Sequence, residues 1–119
     1  MILNHAQLVV ADVAASREFY GRWFGLTEAA HEEEGFVILR DPAGGLLALH
    51  EGHPEPGAGD SFHLGFQVPT AGDVLAFRDN THAVGLEEVA FEQQAGGFAF
   101  ARVRDPDGHA VEVYALPEG

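Results

Sequence analysis

Asp41-Pro42-Ala43-Gly44-Gly45-Leu46-Leu47-Ala48-Leu49 and Asp105-Pro106-Asp107-Gly108-His109-Ala110-Val111-Glu112-Val113 share one plan: a turn opened by Asp-Pro and carrying Gly, then a run of strand-forming residues. Moving outward, the same order of features recurs on the N-terminal side of each stretch. His5-Ala6-Gln7-Leu8-Val9-Val10 is matched by His63-Leu64-Gly65-Phe66-Gln67-Val68, Asp12 by Thr70, and Gly25 by Gly85. The spacing drifts only by small insertions, so the chain reads as a duplicated module. Duplication also places three side chains with metal-ligand chemistry, His5, His63 and Glu112, at matched points of the two copies.

Each copy has the same predicted elements. Asp12 caps a helix over about residues 13–24, where Val13, Phe19, Tyr20, Trp23 and Phe24 supply an apolar stripe and Gly25 a stop. Thr70 with Asp73 forms a capping-box pattern for a helix from about 71 to 84, ended by Gly85. Phe36–Arg40 with Leu46–His50 reads as a hairpin, repeated by Phe98–Arg104 with Ala110–Tyr114. Leu26–His31 and Glu87–Gln93 supply a further strand before each hairpin, with Glu32-Glu33-Glu34 as a solvated turn. Residues 51–60, rich in Pro and Gly, form the linker. The expected fold is therefore α+β, two tandem βαβββ modules (about 1–57 and 58–119) forming a curved mixed sheet in a single domain.

The chain has 119 residues, and half of it, at roughly 60 residues, is marginal as an independent unit. Shared packing within the chain or in a homodimer is the expected remedy. With 19 Asp plus Glu against 6 Lys plus Arg the formal net charge is −13, which disfavours nucleic acid as a partner. The absence of cysteine excludes disulfides and thiolate ligands. Met1-Ile2-Leu3 leads into a strand with no basic leader or long apolar run, so a cytoplasmic protein with no membrane span is expected.

Strand alternation puts His5, Gln7 and Val9 on one face and Ala6, Leu8 and Val10 on the other, and it divides the second copy in the same way. Glu112 shares a face with Ala110 and Tyr114, while Phe98, Phe100, Arg102 and Arg104 share one on the preceding strand. If helices cover the aliphatic faces, the other faces curve into a cup. Two imidazoles and one carboxylate leave coordination positions open on a divalent ion such as Fe, Mn, Zn or Ni. A carboxylate within Ala-Val-Glu-Val-Tyr is costly to bury unless paired or metal-bound. Arg102 is the candidate cation for an anionic substrate group; Phe98, Phe100, Tyr114 and Gln7 are candidate substrate contacts. His50 is the cup-facing histidine available for proton transfer.

With these residues in view, the chain resembles the vicinal oxygen chelate superfamily, which includes glyoxalase I, extradiol dioxygenases, fosfomycin-resistance thiol transferases and bleomycin-resistance proteins. The resemblance spans nearly the whole chain. It rests on His5-x-x-Leu8-x-Val10-x-Asp12, Ser16-x-x-Phe19-Tyr20-x-x-x-Phe24-Gly25-Leu26, His63-Leu64-Gly65-Phe66-x-Val68 and Asp105-Pro106-Asp107-Gly108-His109-x-x-Glu112. It implies His5, His63 and Glu112 as metal ligands and a metal-dependent enzyme acting on a small molecule with adjacent oxygens, in the dioxygenase, lyase, isomerase or epoxide-opening class. The fourth ligand of glyoxalase I, a glutamate, falls at Ala48; His50 or Glu51 could take its place. The resemblance also implies a homodimer in which each site takes one module from each chain. The competing reading is a metal-free bleomycin-resistance-like protein that sequesters a cationic drug.

Overall fold

The computed structural model describes residues 1–57 and 62–117. Its contacts cluster into two units, Met1–Glu55 and Pro56–Gly119. Residues 58–60 of the expected linker lie outside the described residues.

The first unit runs β1 (His5–Val10), α1 (Val13–Phe24), β2 (Glu28–Glu33), β3 (Phe36–Arg40) and β4 (Leu46–Glu51), with the sheet ordered β1-β4-β3-β2. The second repeats this as β5 (Leu64–Gln67), α2 (Ala71–Ala83), β6 (Glu88–Gln93), β7 (Ala99–Arg104) and β8 (Ala110–Ala115), ordered β5-β8-β7-β6. In each unit the first strand pairs parallel to the last and the other pairings are antiparallel. A parallel pair needs a crossover connection, and the single helix of each unit lies within it. The two tandem βαβββ modules are thus present, each with its own four-stranded mixed sheet.

Local chemistry sets the helix ends where the sequence places them. The Asp12 carboxylate accepts the Ala15 N–H at 3.2 Å, and Gly25 takes the left-handed conformation (φ 72°) that ends α1. Thr70 and Asp73 complete a reciprocal capping box, the Thr70 hydroxyl accepting from Asp73 N at 3.2 Å and the Asp73 carboxylate from Thr70 N at 3.1 Å. α1 contributes Ser16, Phe19 and Tyr20 to the first core, beside Leu8, Val10, Val37, Leu39, Leu47 and Leu49. Trp23 and Phe24 are only partly covered, with the Arg22 guanidinium 4.5 Å from the Trp23 ring centroid. The second core is built from smaller residues: Val74 and Thr81 from α2, facing Ala99, Ala101, Val103, Val111 and Val113.

The strand before each hairpin departs from expectation in the first copy. β2 lies two residues later than predicted, so Glu32 and Glu33 are strand residues and the reversal is confined to Glu34 and Gly35. Pairing with β3 explains the shift: Glu33 and Glu32 oppose Phe36 and Val37, and β2 is an edge strand whose exposed side chains tolerate charge. A register irregularity recurs in both edge strands, between Ala29 and His31 and between Glu88 and Ala90. Among the described residues no helix is long and apolar enough to cross a membrane.

Candidate metal and substrate site

β8 lies between β5 and β7, and Glu112 is near its middle. Parallel register sets Gly65 opposite Glu112 on one side; antiparallel register sets Arg102 opposite it on the other. Neighbouring Val111 and Val113 point into the core, leaving Glu112 on the other face with only 8% of its surface exposed. A carboxylate so covered must be compensated, and one oxygen carries the compensation. Oε1 accepts from Arg102 Nε at 3.1 Å and Nη2 at 2.9 Å, and His63 Nε2 lies 3.1 Å from the same atom.

Each neighbour of that carboxylate has a physical reason to be there. Gly65 lacks a side chain where one would crowd the site: a Cβ would sit 3.2 Å from Tyr114 Cε1 and 3.6 Å from Glu112 Cγ. The Arg102 guanidinium stacks over Phe100, 5.0 Å from the ring centroid, and Phe98 meets Phe100 edge-on at 6.1 Å. His63 immediately precedes β5, and among the described residues its buried Nδ1 has no hydrogen-bond partner. In the neutral ring one of the two nitrogens carries the proton and the other a lone pair.

In the first unit, His5 and Gln7 are exposed on the sheet face opposite the one that carries Leu8 and Val10. Register places Ala48 opposite Gln7 and Ile38, the positions that Glu112 holds opposite Gly65 and Arg102. The glutamate expected of a fourth ligand is therefore absent, and so is the arginine. His50 is exposed and packs edge-on against Phe36 at 6.0 Å, with His31 on the other side of that ring at 6.1 Å. The Glu51 N–H bonds to the Gly35 carbonyl at 2.8 Å, which ties the end of β4 to the reversal before β3.

The second unit thus brings His63, Glu112, Arg102, Phe100 and Tyr114 to one neighbourhood, and His5, Gln7 and His50 belong to the first. Among the described residues no group of three or more His, Asp or Glu side chains forms a metal cage. The His63 and Glu112 donors lie at a hydrogen-bond distance that two ligands of one ion would also span. Nitrogen and oxygen ligands at about 2.0–2.2 Å from one metal, at angles of about 90–110°, are separated by about 2.9–3.5 Å, and His63 Nε2 and Glu112 Oε1 are separated by 3.1 Å. Sequence reading missed the Arg102–Glu112 contact and the spacing role of Gly65. The contact had a signal: counted outward from the Asp105–Gly108 turn, Arg104 meets Ala110 and Arg102 meets Glu112.

The fold recurs among solved structures. A possible glyoxalase from Bacillus cereus is 29% identical, with 95% of this chain and 97% of that one covered and a TM-score of 0.77. Lactoylglutathione lyase from Agrobacterium tumefaciens is 22% identical (96% and 92% covered, TM-score 0.75). A variant of the fosfomycin resistance protein FosX from Listeria monocytogenes, complexed with Mn(II) and 1S,2S-dihydroxypropylphosphonic acid, is also 22% identical (96% and 90% covered, TM-score 0.78). A search of curated protein sequences found no match. A family profile matches residues 2–113, and with the duplicated βαβββ architecture this establishes that the chain belongs to the Glyoxalase/Bleomycin resistance protein/Dioxygenase superfamily.

Proposed function

We propose that the protein is a cytoplasmic, divalent-metal-dependent enzyme of this superfamily, with His5, His63 and Glu112 as its ligands and a small molecule bearing adjacent oxygens as its substrate. The observation that carries this reading is the convergence of His63 Nε2 and Glu112 Oε1 at 3.1 Å, with His5 at the matching point of the first copy. Similarity to the FosX complex, whose ligand is a dihydroxy compound bound with Mn(II), supports both the ion and the substrate class. A bound ion of Fe, Mn, Zn or Ni type supplies Lewis acidity toward the two oxygens.

The chain's own groups supply the rest. Arg102 orients an anionic group of the substrate, and Phe98, Phe100 and Tyr114 cover its apolar part and exclude water. Gln7 hydrogen-bonds to the substrate, and the exposed imidazole of His50 moves a proton. Dioxygenase, lyase, isomerase and epoxide-opening reactions are all within reach of that set. The two modules act as one domain, and the working unit is a homodimer whose sites draw His5 from one chain and His63 with Glu112 from the other.

The test is Mn(II) titration of untagged protein by calorimetry. Wild type should bind about one ion per chain, and His5→Ala, His63→Ala and Glu112→Gln should each lower affinity by about 10-fold or more, a scale reached even by changes behind the ligands. Equal affinity in all four proteins would exclude the triad. A second reading, metal-free sequestration of a cationic drug, is favoured by the net charge of −13. It requires that a cationic glycopeptide bind the chelated protein tightly and release steeply with salt.

A further inference from the structure

The Phe36 rung of the first sheet and the Phe100 rung of the second share one plan. Register sets Glu33 and His50 on either side of Phe36, and Glu92 and Tyr114 on either side of Phe100. In the second copy a planar cation completes the rung: the Arg102 guanidinium lies over Phe100, 5.0 Å from the ring centroid. In the first copy Ile38 takes the position of Arg102, and His31 brings a ring where the second copy has Ala90. The chain has no lysine, and the arginines of the first unit are held elsewhere: Arg17 by Glu32 at 2.6 Å, Arg40 by Glu28 at 2.8 Å, and Arg22 over Trp23. The Glu33 carboxylate has His31 Nε2 beside it at 3.8 Å.

The first copy therefore keeps the aromatic rung and a carboxylate and lacks the cation. We propose that it takes this cation from solution: His31, Phe36, His50 and Glu33 form a binding site for a small planar organic cation, such as a protonated fused-ring amine, stacked on Phe36 with its charge toward Glu33. An aromatic face attracts a cation within about 6 Å, and Phe36 is half-buried between two exposed imidazoles whose centroids are 6.1 and 6.0 Å from its own. Those rings stand at 59° and 64° to Phe36, so the edges of a flat ligand meet them. A neutral imidazole offers one acceptor nitrogen to an amino group there. Side-chain exposures of 53% for His31 and 63% for Glu33 leave the polar end accessible. The same exposure limits each contact, and the cation–π contact and the ion pair are each worth about 2- to 5-fold in affinity. Selectivity comes from using both at once, which only a flat, positively charged molecule does. The site belongs to the first unit alone and needs no metal.

Fluorescence titration of proflavine, a flat tricyclic cation, with chelator-treated protein at about 0.15 M NaCl tests this. Wild type should show saturable binding, and naphthalene-2-sulfonate, a flat anion, should not compete. Glu33→Gln and Phe36→Leu should each weaken proflavine binding by about 3-fold or more, and so should the His31→Ala/His50→Ala pair. Glu18→Gln removes the same charge from α1, which packs on the other face of the sheet. Screening over about 8 Å hides that charge from the rung, so affinity should stay within about 1.5-fold of wild type. If Phe36→Leu does not fold, weakening in the exposed histidine pair carries the same conclusion. Equal weakening by Glu33→Gln and Glu18→Gln would mean diffuse attraction to the net charge of −13 and would overturn the site. Full affinity in folded Phe36→Leu or in the histidine pair, or no saturable binding in wild type, would overturn it as well, and each of these results leaves the metal ligands untouched.

Discussion

Replacing Arg102 with isoleucine in chelator-treated protein isolates the energetic role of the site from any metal. The Glu112 carboxylate, 8% exposed, would lose two donors at 3.1 and 2.9 Å and keep His63 Nε2 at 3.1 Å. Removing one partner of a buried ion pair costs about 3–5 kcal/mol. Because His63 remains and neither side chain is wholly covered, the expected loss is at or below that range, about 2–3 kcal/mol. The first unit supplies the compensating variant: Arg102→Ile/Glu112→Ala copies the Ile38–Ala48 pair. Without a carboxylate to strand, the double variant should lose no more than about 2 kcal/mol, less than the sum of the singles, giving a coupling of about 2–3 kcal/mol. Urea unfolding followed by circular dichroism measures all four corners of the cycle. A single variant within about 0.5 kcal/mol of wild type, or singles that simply add, would mean that Arg102 does not compensate the buried carboxylate.

Thr70→Ala removes one half of the capping box at the start of α2 and should cost about 1 kcal/mol in urea unfolding; no loss would mean that Asp73 alone holds the helix end. Glu88 is held below its ordinary carboxylate value of 4.5, chiefly by its hydrogen bond from Arg78 and then by His82. A depressed folded-state value stabilises the fold above pH 4.5, and this contribution disappears as pH falls through the depressed value. Arg78→Met should therefore flatten the acid side of the stability profile; profiles that stay parallel would contradict this. Gly65→Ala should cost about 1 kcal/mol by pushing its Cβ against the Tyr114 ring. Most of that cost should vanish in a Tyr114→Ala background, and an equal cost in both backgrounds would argue against the contact.

Most of the fold was legible because its signals are local or periodic. Asp12, Gly25 and Thr70 with Asp73 mark helix ends through bonds to nearby backbone, and both helices begin where those residues place them. Alternation assigned the two faces of β8 correctly, with Val111 and Val113 inside and Glu112 on the other face. β2 was placed two residues too early because nothing local in Glu32 and Glu33 favours a strand over a turn; its bounds come from pairing with β3, and charged side chains are tolerated at an exposed edge. The site was partly legible for a related reason. Face parity put Arg102 and Glu112 on the same side, but their contact is a matter of register, which depends on the length of the Asp105–Gly108 turn. The room that Gly65 leaves for Tyr114 is a three-dimensional property of neighbouring strands, and composition does not reveal it.

Imidazole from both copies and the Glu112 carboxylate are proposed to hold one divalent ion. Pulsed electron paramagnetic resonance of the Mn(II)-loaded, untagged protein addresses it directly, because nitrogen nuclei bound to Mn(II) give resolvable couplings and solvent oxygens do not. Couplings from two histidine nitrogens are expected in wild type, reduced to one in either His5→Ala or His63→Ala loaded at higher Mn(II). A spectrum indistinguishable from hexaaqua Mn(II), or nitrogen couplings unchanged in both variants, would exclude His5 and His63 as ligands.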